Sequence, residues 1–148
     1  MEIGCGTGST LKSLRDQGLY DWVCGVELDP ETATIARKRL DAVYQGNIES
    51  LDLNIAPSSI DLILCLDVLE HIQDPWLVLK GLRQFLTPGK TLIAIVPNVR
   101  FFKVSFPLFF LNGWRYGSEG VLDRTHLRFF VSETAIELLN RLAIELTT

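Results

Sequence analysis

Apolar residues along this chain fall into short, nearly continuous runs that alternate with segments in which apolar positions recur at helical spacing. The runs, which predict strands, are MEI (1–3), DWVCGVEL (21–28), AVYQGNI (42–48), SIDLILCL (59–66) and TLIAIVPN (91–98). The helical segments are 10–17, 29–40, 74–86 and 133–143. SIDLILCL is almost wholly apolar, as a parallel strand covered on both faces should be. This alternation predicts an α/β fold with a parallel sheet and right-handed crossovers.

Two of the predicted helices open with the same dipeptide. Asp29–Pro30 and Asp74–Pro75 each place a good N-cap residue before a proline that suits the first helical turn. The sequence TPGK (87–90) predicts a turn that leads into the fifth strand.

The composition is that of one soluble globular domain: 148 residues, 47% hydrophobic and 22% charged. A net charge of −4 argues against an extended surface for nucleic acid, so we predict no nucleic-acid partner. The three cysteines are too few and too scattered for a disulfide framework or a zinc knuckle. We therefore predict a cytoplasmic protein without a metal site. The apolar stretch 101–111 is interrupted and too short to cross a bilayer, so no transmembrane segment is expected.

Three glycines, Gly4, Gly6 and Gly8, follow the first predicted strand. In open α/β sheets ligands bind at the carboxyl ends of strands, and glycine lets a ligand approach the backbone closely. Glu27 ends the second strand, where an acid commonly binds ribose hydroxyls. The alternatives are a plain tight turn for the glycines and a solvated strand end for Glu27. A dinucleotide fingerprint would require glycine where Ser9 stands.

Several motifs together resemble one family. They are EIGCGTG (2–8), GVELDP (25–30), YQGNI (44–48), DLILCLDVLEHIQDP (61–75) and LTPGKTLIAIVPN (86–98). In this order they resemble the class I S-adenosylmethionine-dependent methyltransferases. GVLDRTHLRFF (120–130) resembles a bacterial subgroup associated with surface-polysaccharide or glycosyltransferase pathways. The resemblance implies a Rossmann-like three-layer α/β/α sandwich with strand order 3-2-1-4-5. It also implies S-adenosylmethionine as cofactor and S-adenosylhomocysteine as product.

The resemblance assigns cofactor-binding roles to residues at the strand ends. The methionine part of the cofactor would border Glu2 and the loop of Gly4, Cys5, Gly6 and Gly8, while Glu27 would accept both ribose hydroxyls. The adenine would meet Leu28, Asn47 and Ile48. The transfer site would be lined by Leu66 and Asp67, with His71 just beyond. Cys65, like Cys5, is expected to be a buried small hydrophobe rather than a nucleophile.

The segment 98–131 is predicted to be a lid or acceptor-binding insertion within a single domain spanning 1–148. Its candidate catalytic residues are His126, as a general base, and Asp123, which would orient it; His71 is a third candidate, or else a helix-start residue bonded to backbone. The alternative is an internal salt-bridge network that fixes the lid, with His126 hydrogen-bonded to backbone. The segment also contains an aromatic stripe of Phe101, Phe102, Phe106, Phe109 and Phe110. We expect this stripe to lie in the core or at a dimer contact, although a surface for a lipid-linked acceptor would also fit.

The chain departs from the family at both ends, with a short first strand and little sequence after the last helix. We expect a chain truncated at both ends that lacks the family's terminal strands, and an uncovered sheet edge makes a homodimer plausible. Three functional hypotheses stay open. The first is a methyltransferase acting on a small-molecule or saccharide acceptor. The others are an NAD(P)-type oxidoreductase and a degenerate nucleotide-binding module without turnover.

Overall fold

The computed structural model describes residues 1–144, with side chains to Asn140. Within these residues five strands form one parallel sheet: β1 (Glu2–Ile3), β2 (Cys24–Glu27), β3 (Ala42–Gln45), β4 (Ile60–Leu66) and β5 (Leu86–Ile95). Their order across the sheet is β3-β2-β1-β4-β5. The helices are α1 (Ser9–Asp16), α2 (Pro30–Ala36), α3 (Pro75–Arg83), α4 (Phe102–Phe110) and α5 (Ser132–Ile144). The predicted fold class and strand order are confirmed.

Side chains that alternate along β4 build the two apolar layers of the sandwich. Ile63 and Cys65 pack into a cluster that includes residues of α3 and α5. Leu64 packs into a second cluster, with Leu11 of α1 and Ala36 of α2. Since successive strand residues point to opposite faces of a sheet, the helices cover β4 on both sides.

Both Asp-Pro helix starts form as predicted. Asp29 Oδ2 accepts a hydrogen bond from the Thr32 amide at 2.7 Å, and Asp74 Oδ1 accepts one from the Leu77 amide at 3.0 Å. The two caps fix where α2 and α3 leave the loops that follow β2 and β4.

The TPGK segment differs from the prediction because it lies inside β5. The pairing steps from Ile60↔Leu86 to Leu62↔Thr91, so residues 87–90 form a bulge in the edge strand. Gly89 has φ +77°, a conformation that side chains disfavour. Beyond the bulge, Ile95 is 50% exposed, which leaves apolar surface along this edge.

The aromatic stripe does not lie in the core, which corrects one of its two predicted placements. It forms the unpredicted helix α4, in which Phe109 is 78% and Phe110 73% exposed. Val104 is the helix residue that is buried. The homodimer stays a prediction. None of the helices described within residues 1–144 has the length and apolar character needed to span a membrane.

Candidate functional site

The glycine loop after β1 combines close packing with one open position. Gly6 and Gly8 have φ values of +54° and +76°. A Cβ on Gly8 would lie 2.9 Å from Leu40 Cγ, whereas a Cβ on Gly6 would meet nothing within 4 Å. The tight-turn hypothesis therefore accounts for Gly8, while Gly6 exposes bare backbone to open space, as close approach of a ligand requires.

Glu27 connects the loops that follow β1 and β2. Its Oε2 accepts a hydrogen bond from the Gly6 amide at 2.8 Å, and its Oε1 accepts one from the Asp29 amide at 2.9 Å. The carboxylate is thus held on both oxygens and is not a loosely solvated strand end. Because each carboxylate oxygen has two lone pairs, both can still accept a hydroxyl donor.

Glu2 is a carboxyl group buried beneath this loop, 4% exposed. Burial raises its pKa to about 7, although a hydrogen bond with Thr10 and the charge of the Met1 amino group act in the opposite direction. Its Oε2 has no hydrogen-bond partner among residues 1–144. An unpaired buried oxygen of this kind is costly and invites a donor.

The neighbouring thiols are buried, as predicted. Cys5 and Cys65 are both buried, and burial raises the pKa of each to about 12. Since the thiolate is the nucleophilic form, neither cysteine is equipped for nucleophilic chemistry.

The residues predicted to contact adenine and to line the transfer site all lie at the carboxyl ends of strands β2, β3 and β4. Leu28 is exposed after β2, and Gln45 Nε2 donates to its carbonyl at 3.1 Å. Asn47 Oδ1 accepts from the Glu49 amide at 3.0 Å, and Ile48 packs against the core. After Leu66 ends β4, Asp67 has φ +49°, a conformation uncommon outside glycine and often found at functional sites.

Part of the 98–131 segment is anchored to the turn after β4. The carbonyl of Glu70 accepts hydrogen bonds from the amides of Leu127 and Arg128 at 2.7 and 3.0 Å. The Arg128 guanidinium also donates to the Gln73 carbonyl. These bonds hold the HLRFF stretch beside the carboxyl end of β4.

This docking brings His126 next to His71, with ring centroids 4.8 Å apart. His126 Nδ1 lies 3.0 Å from the Val121 carbonyl, and His71 Nδ1 lies 3.2 Å from the Thr125 carbonyl. The side-chain contact predicted between Asp123 and His126 is not formed. The Asp123 carboxylate instead accepts from the amide and hydroxyl of Thr125, which lowers its pKa. A local Asx turn explains this, because the Thr125 donors lie nearer than the imidazole.

Glu70 was not among the residues predicted from the sequence, and its Oε1 lies 4.0 Å from His126 Nε2. Glu70 is 1% exposed, and burial raises its pKa. The signal was present in the sequence LEH, where an acid precedes His71 in an otherwise apolar turn. The burial of Glu70 depends on residues 121–128, which are distant in sequence and pack against it, so it could not be predicted from neighbouring residues.

Comparisons with known proteins identify the family and its fold. Residues 1–92 match the family model described as "Methyltransferase domain". The ubiquinone biosynthesis O-methyltransferase of Idiomarina loihiensis is 32% identical over 97 residues, which cover 60% of this chain and 38% of that protein. A solved SAM-dependent methyltransferase of Thermotoga maritima, described as a possible histamine N-methyltransferase, is 28% identical with a TM-score of 0.71, covering 95% of this chain and 61% of that one. SAM-bound CalS10, an amino pentose methyltransferase of Micromonospora echinaspora, is 25% identical with a TM-score of 0.55 over 64% of this chain and 41% of that one.

The chain spans about two fifths of the length of the curated relatives that it matches, 38% and 42% in two examples. The family match covers more than half of the chain. It decides between the two cofactor classes that the sequence left open, in favour of S-adenosylmethionine over NAD(P). The chain therefore belongs to the class I S-adenosylmethionine-dependent methyltransferases.

Proposed function

We propose that this chain transfers a methyl group from S-adenosylmethionine to a hydroxyl or amino group of a small-molecule acceptor, saccharides included. The observation that carries the proposal is the docking of residues 121–128 on the turn after β4. It places two imidazoles beside the strand end where the transferred methyl group is expected. A binding module without turnover would have no need for this arrangement.

The residues after β1 and β2 fit the cofactor. The open space at Gly6 leaves room for its amino-acid tail, and the second lone pairs of the Glu27 oxygens can accept its ribose hydroxyls. The unpaired Oε2 of Glu2 offers an acceptor beneath the same loop. Exposed Leu28 supplies apolar surface for a base. When bound, the cofactor supplies a methyl group already activated on a sulfonium, so the protein mainly orients and desolvates.

The acceptor is proposed to lie against the 98–131 segment. A groove of about 360 Å³ there is lined by apolar side chains and by two cations, Lys103 and Arg115. Leu122 lines this groove directly after Val121, whose carbonyl holds His126. An acceptor with an apolar body and an acidic or hydroxyl group suits such a lining.

His126 is suited to the general-base role predicted for it. A carbonyl oxygen can only accept, so the bond to Val121 requires the proton on Nδ1 and leaves the Nε2 lone pair available. Such a lone pair can take the proton of an acceptor hydroxyl during transfer.

The proposal is tested by measuring S-adenosylhomocysteine formation from S-adenosylmethionine with a panel of hydroxylated aromatic acids, amino sugars and simple amines. We expect turnover with at least one of these acceptor classes. Saturable cofactor binding without turnover on any of them would support a non-catalytic module and contradict the proposal.

A further inference from the structure

The chain has two histidines, and both lie in one cluster with Glu70. One ligand-type atom from each of Glu70, His71 and His126 can be chosen so that all three lie within 4.8 Å of one another. Residues from two separate parts of the sequence thus converge, and the backbone bonds to the Glu70 carbonyl hold the two parts together.

Both imidazoles are oriented in the way that metal-binding histidines usually are. His71 Nδ1 faces the Thr125 carbonyl and His126 Nδ1 faces the Val121 carbonyl, at 3.2 and 3.0 Å. Since a carbonyl cannot donate, each Nδ1 carries the proton and each neutral ring keeps its lone pair on Nε2. A metal-bound histidine characteristically gives its other ring N–H to a backbone carbonyl or a carboxylate, which fixes the tautomer.

Glu70 supplies a buried carboxylate that the protein alone leaves unpaired. It is 1% exposed, and its Oε2 has no hydrogen-bond partner within the described part of the chain. The 4.0 Å between its Oε1 and His126 Nε2 is longer than a hydrogen bond. A general base would require one imidazole, whereas this arrangement offers two imidazoles and a carboxyl group whose Oε2 has no hydrogen-bond partner among the described residues.

We propose that Glu70, His71 and His126 bind one divalent first-row transition-metal cation. Two imidazoles and a carboxylate are the donor set of many such sites, with a further position left open for water or substrate. Ligand atoms around tetrahedral zinc lie about 3.3 Å apart, so ligand atoms that lie within 4.8 Å of one another must move closer by up to about 1.5 Å. The exposed His71 has room for that movement.

The cation has a role that rests on the proposed function. The cluster follows the carboxyl end of β4 directly, so the open position would take a hydroxyl oxygen of the methyl acceptor. Coordination lowers the pKa of a bound hydroxyl, so its proton would pass to solvent water and not to His126. The oxygen would then form a bond to the methyl group while the bond from that methyl group to the cofactor's sulfur breaks, which releases S-adenosylhomocysteine. The acceptor class is then narrowed to hydroxyl compounds able to reach a cation.

The test is a titration of tag-free, chelator-treated protein with Co²⁺, followed by visible absorption, and with Zn²⁺ by calorimetry. We expect one cation per chain. Glu70→Gln and His71→Ala should each weaken binding at least about tenfold. Glu133→Gln, which removes an exposed carboxylate in the first turn of α5, should leave binding unchanged. If Glu70→Gln does not fold, His71→Ala decides, because its side chain is exposed.

Absence of saturable binding below about 1 mM would overturn the proposal, as would binding that His71→Ala leaves intact. A thiolate-to-cobalt absorption band would overturn it as well, since it would place the metal at the cysteines. In the same samples, chelation should abolish methyl transfer to a hydroxyl acceptor without changing S-adenosylhomocysteine affinity. Transfer that persists in chelator overturns the role given to the cation. Failure to bind S-adenosylhomocysteine instead overturns the proposed function, and the Co²⁺ titration still decides the metal site.

Discussion

Replacing Glu27 is expected to weaken cofactor binding more than replacing any other single carboxylate at the sheet edge. Its two oxygens accept hydrogen bonds from the Gly6 and Asp29 amides at 2.8 and 2.9 Å, and their remaining lone pairs are proposed to bind the ribose. Glu27→Ala removes both functions at once. Glu27→Gln keeps the size of the side chain but supplies one acceptor and one donor, so one of the two amides loses its partner.

The size of the effect follows from the number of bonds lost. A hydrogen bond to a charged group contributes about 1.5–3 kcal/mol. Because Glu27 is half-buried, we take the lower value for each ribose bond, so Glu27→Ala should cost about 3 kcal/mol in binding, or roughly 100-fold in Kd. Glu27→Gln should lose about half of this free energy, which is roughly tenfold in Kd.

Calorimetric titration with S-adenosylhomocysteine measures these affinities, and thermal unfolding of each variant shows that the fold is retained. Glu31→Gln is the matched control, because it removes an exposed acid from the first turn of the neighbouring helix α2. The expected order of affinity is wild type and Glu31→Gln, then Glu27→Gln, then Glu27→Ala. A folded Glu27→Ala protein that binds within about threefold of wild type would refute the role given to this carboxylate.

Three further predictions concern stability. Gly8→Ala should lower the free energy of unfolding by about 2–4 kcal/mol, since φ is +76° and the new Cβ would lie 2.9 Å from Leu40 Cγ. Gly18→Ala is the control, because Gly18 has a similar φ but a Cβ there would meet nothing within 4 Å, so this variant should lose only about 1–2 kcal/mol of unfolding free energy. Urea unfolding measures both variants, and equal losses would contradict a contribution from the contact with Leu40. The pKa of Glu2 is raised from 4.5 to about 7 in the folded state, so the folded protein holds this proton to a higher pH than the unfolded chain does. The resulting contribution to the free energy of unfolding is fully present below pH 4.5 and is lost as the pH rises to 7, by up to about 3 kcal/mol. Glu2→Gln should remove that slope from stability-versus-pH curves, and an unchanged slope would assign it to other groups. Phe109→Ser should change the free energy of unfolding by less than about 0.5 kcal/mol, because the ring is 78% exposed. A large loss would indicate that the ring packs in an interface.

Features set by local chemistry could be predicted from the sequence. The Asp29 and Asp74 caps depend on residues within one helical turn, and the strand order follows from the alternation of elements together with the family resemblance. The placement of Gly6 and Glu27 was also predictable, since Gly6 lies in the loop that follows β1 and Glu27 ends β2 at the same end of the sheet.

Helix α4 could not be predicted because its sequence, FKVSFPLFF, has no apolar and polar faces and carries an internal proline. Both features argue against a helix.

The side-chain contacts of His126 also could not be predicted from residues near it in the sequence. The Asp123 carboxylate has a nearer donor in Thr125, while Glu70 reaches the imidazole through tertiary folding. Burial of an acid beside a histidine from a distant segment depends on packing, which no short stretch of sequence specifies.

We expect the Gly4–Gly8 loop and Glu27 together to hold S-adenosylmethionine at the carboxyl ends of the strands. The decisive experiment is a crystal structure of the chain grown with S-adenosylhomocysteine. Both ribose hydroxyls should lie within about 3 Å of the Glu27 oxygens, and the amino-acid tail should lie against Gly6. Density for the ligand elsewhere, with Glu27 bonded only to the Gly6 and Asp29 amides, would contradict this expectation.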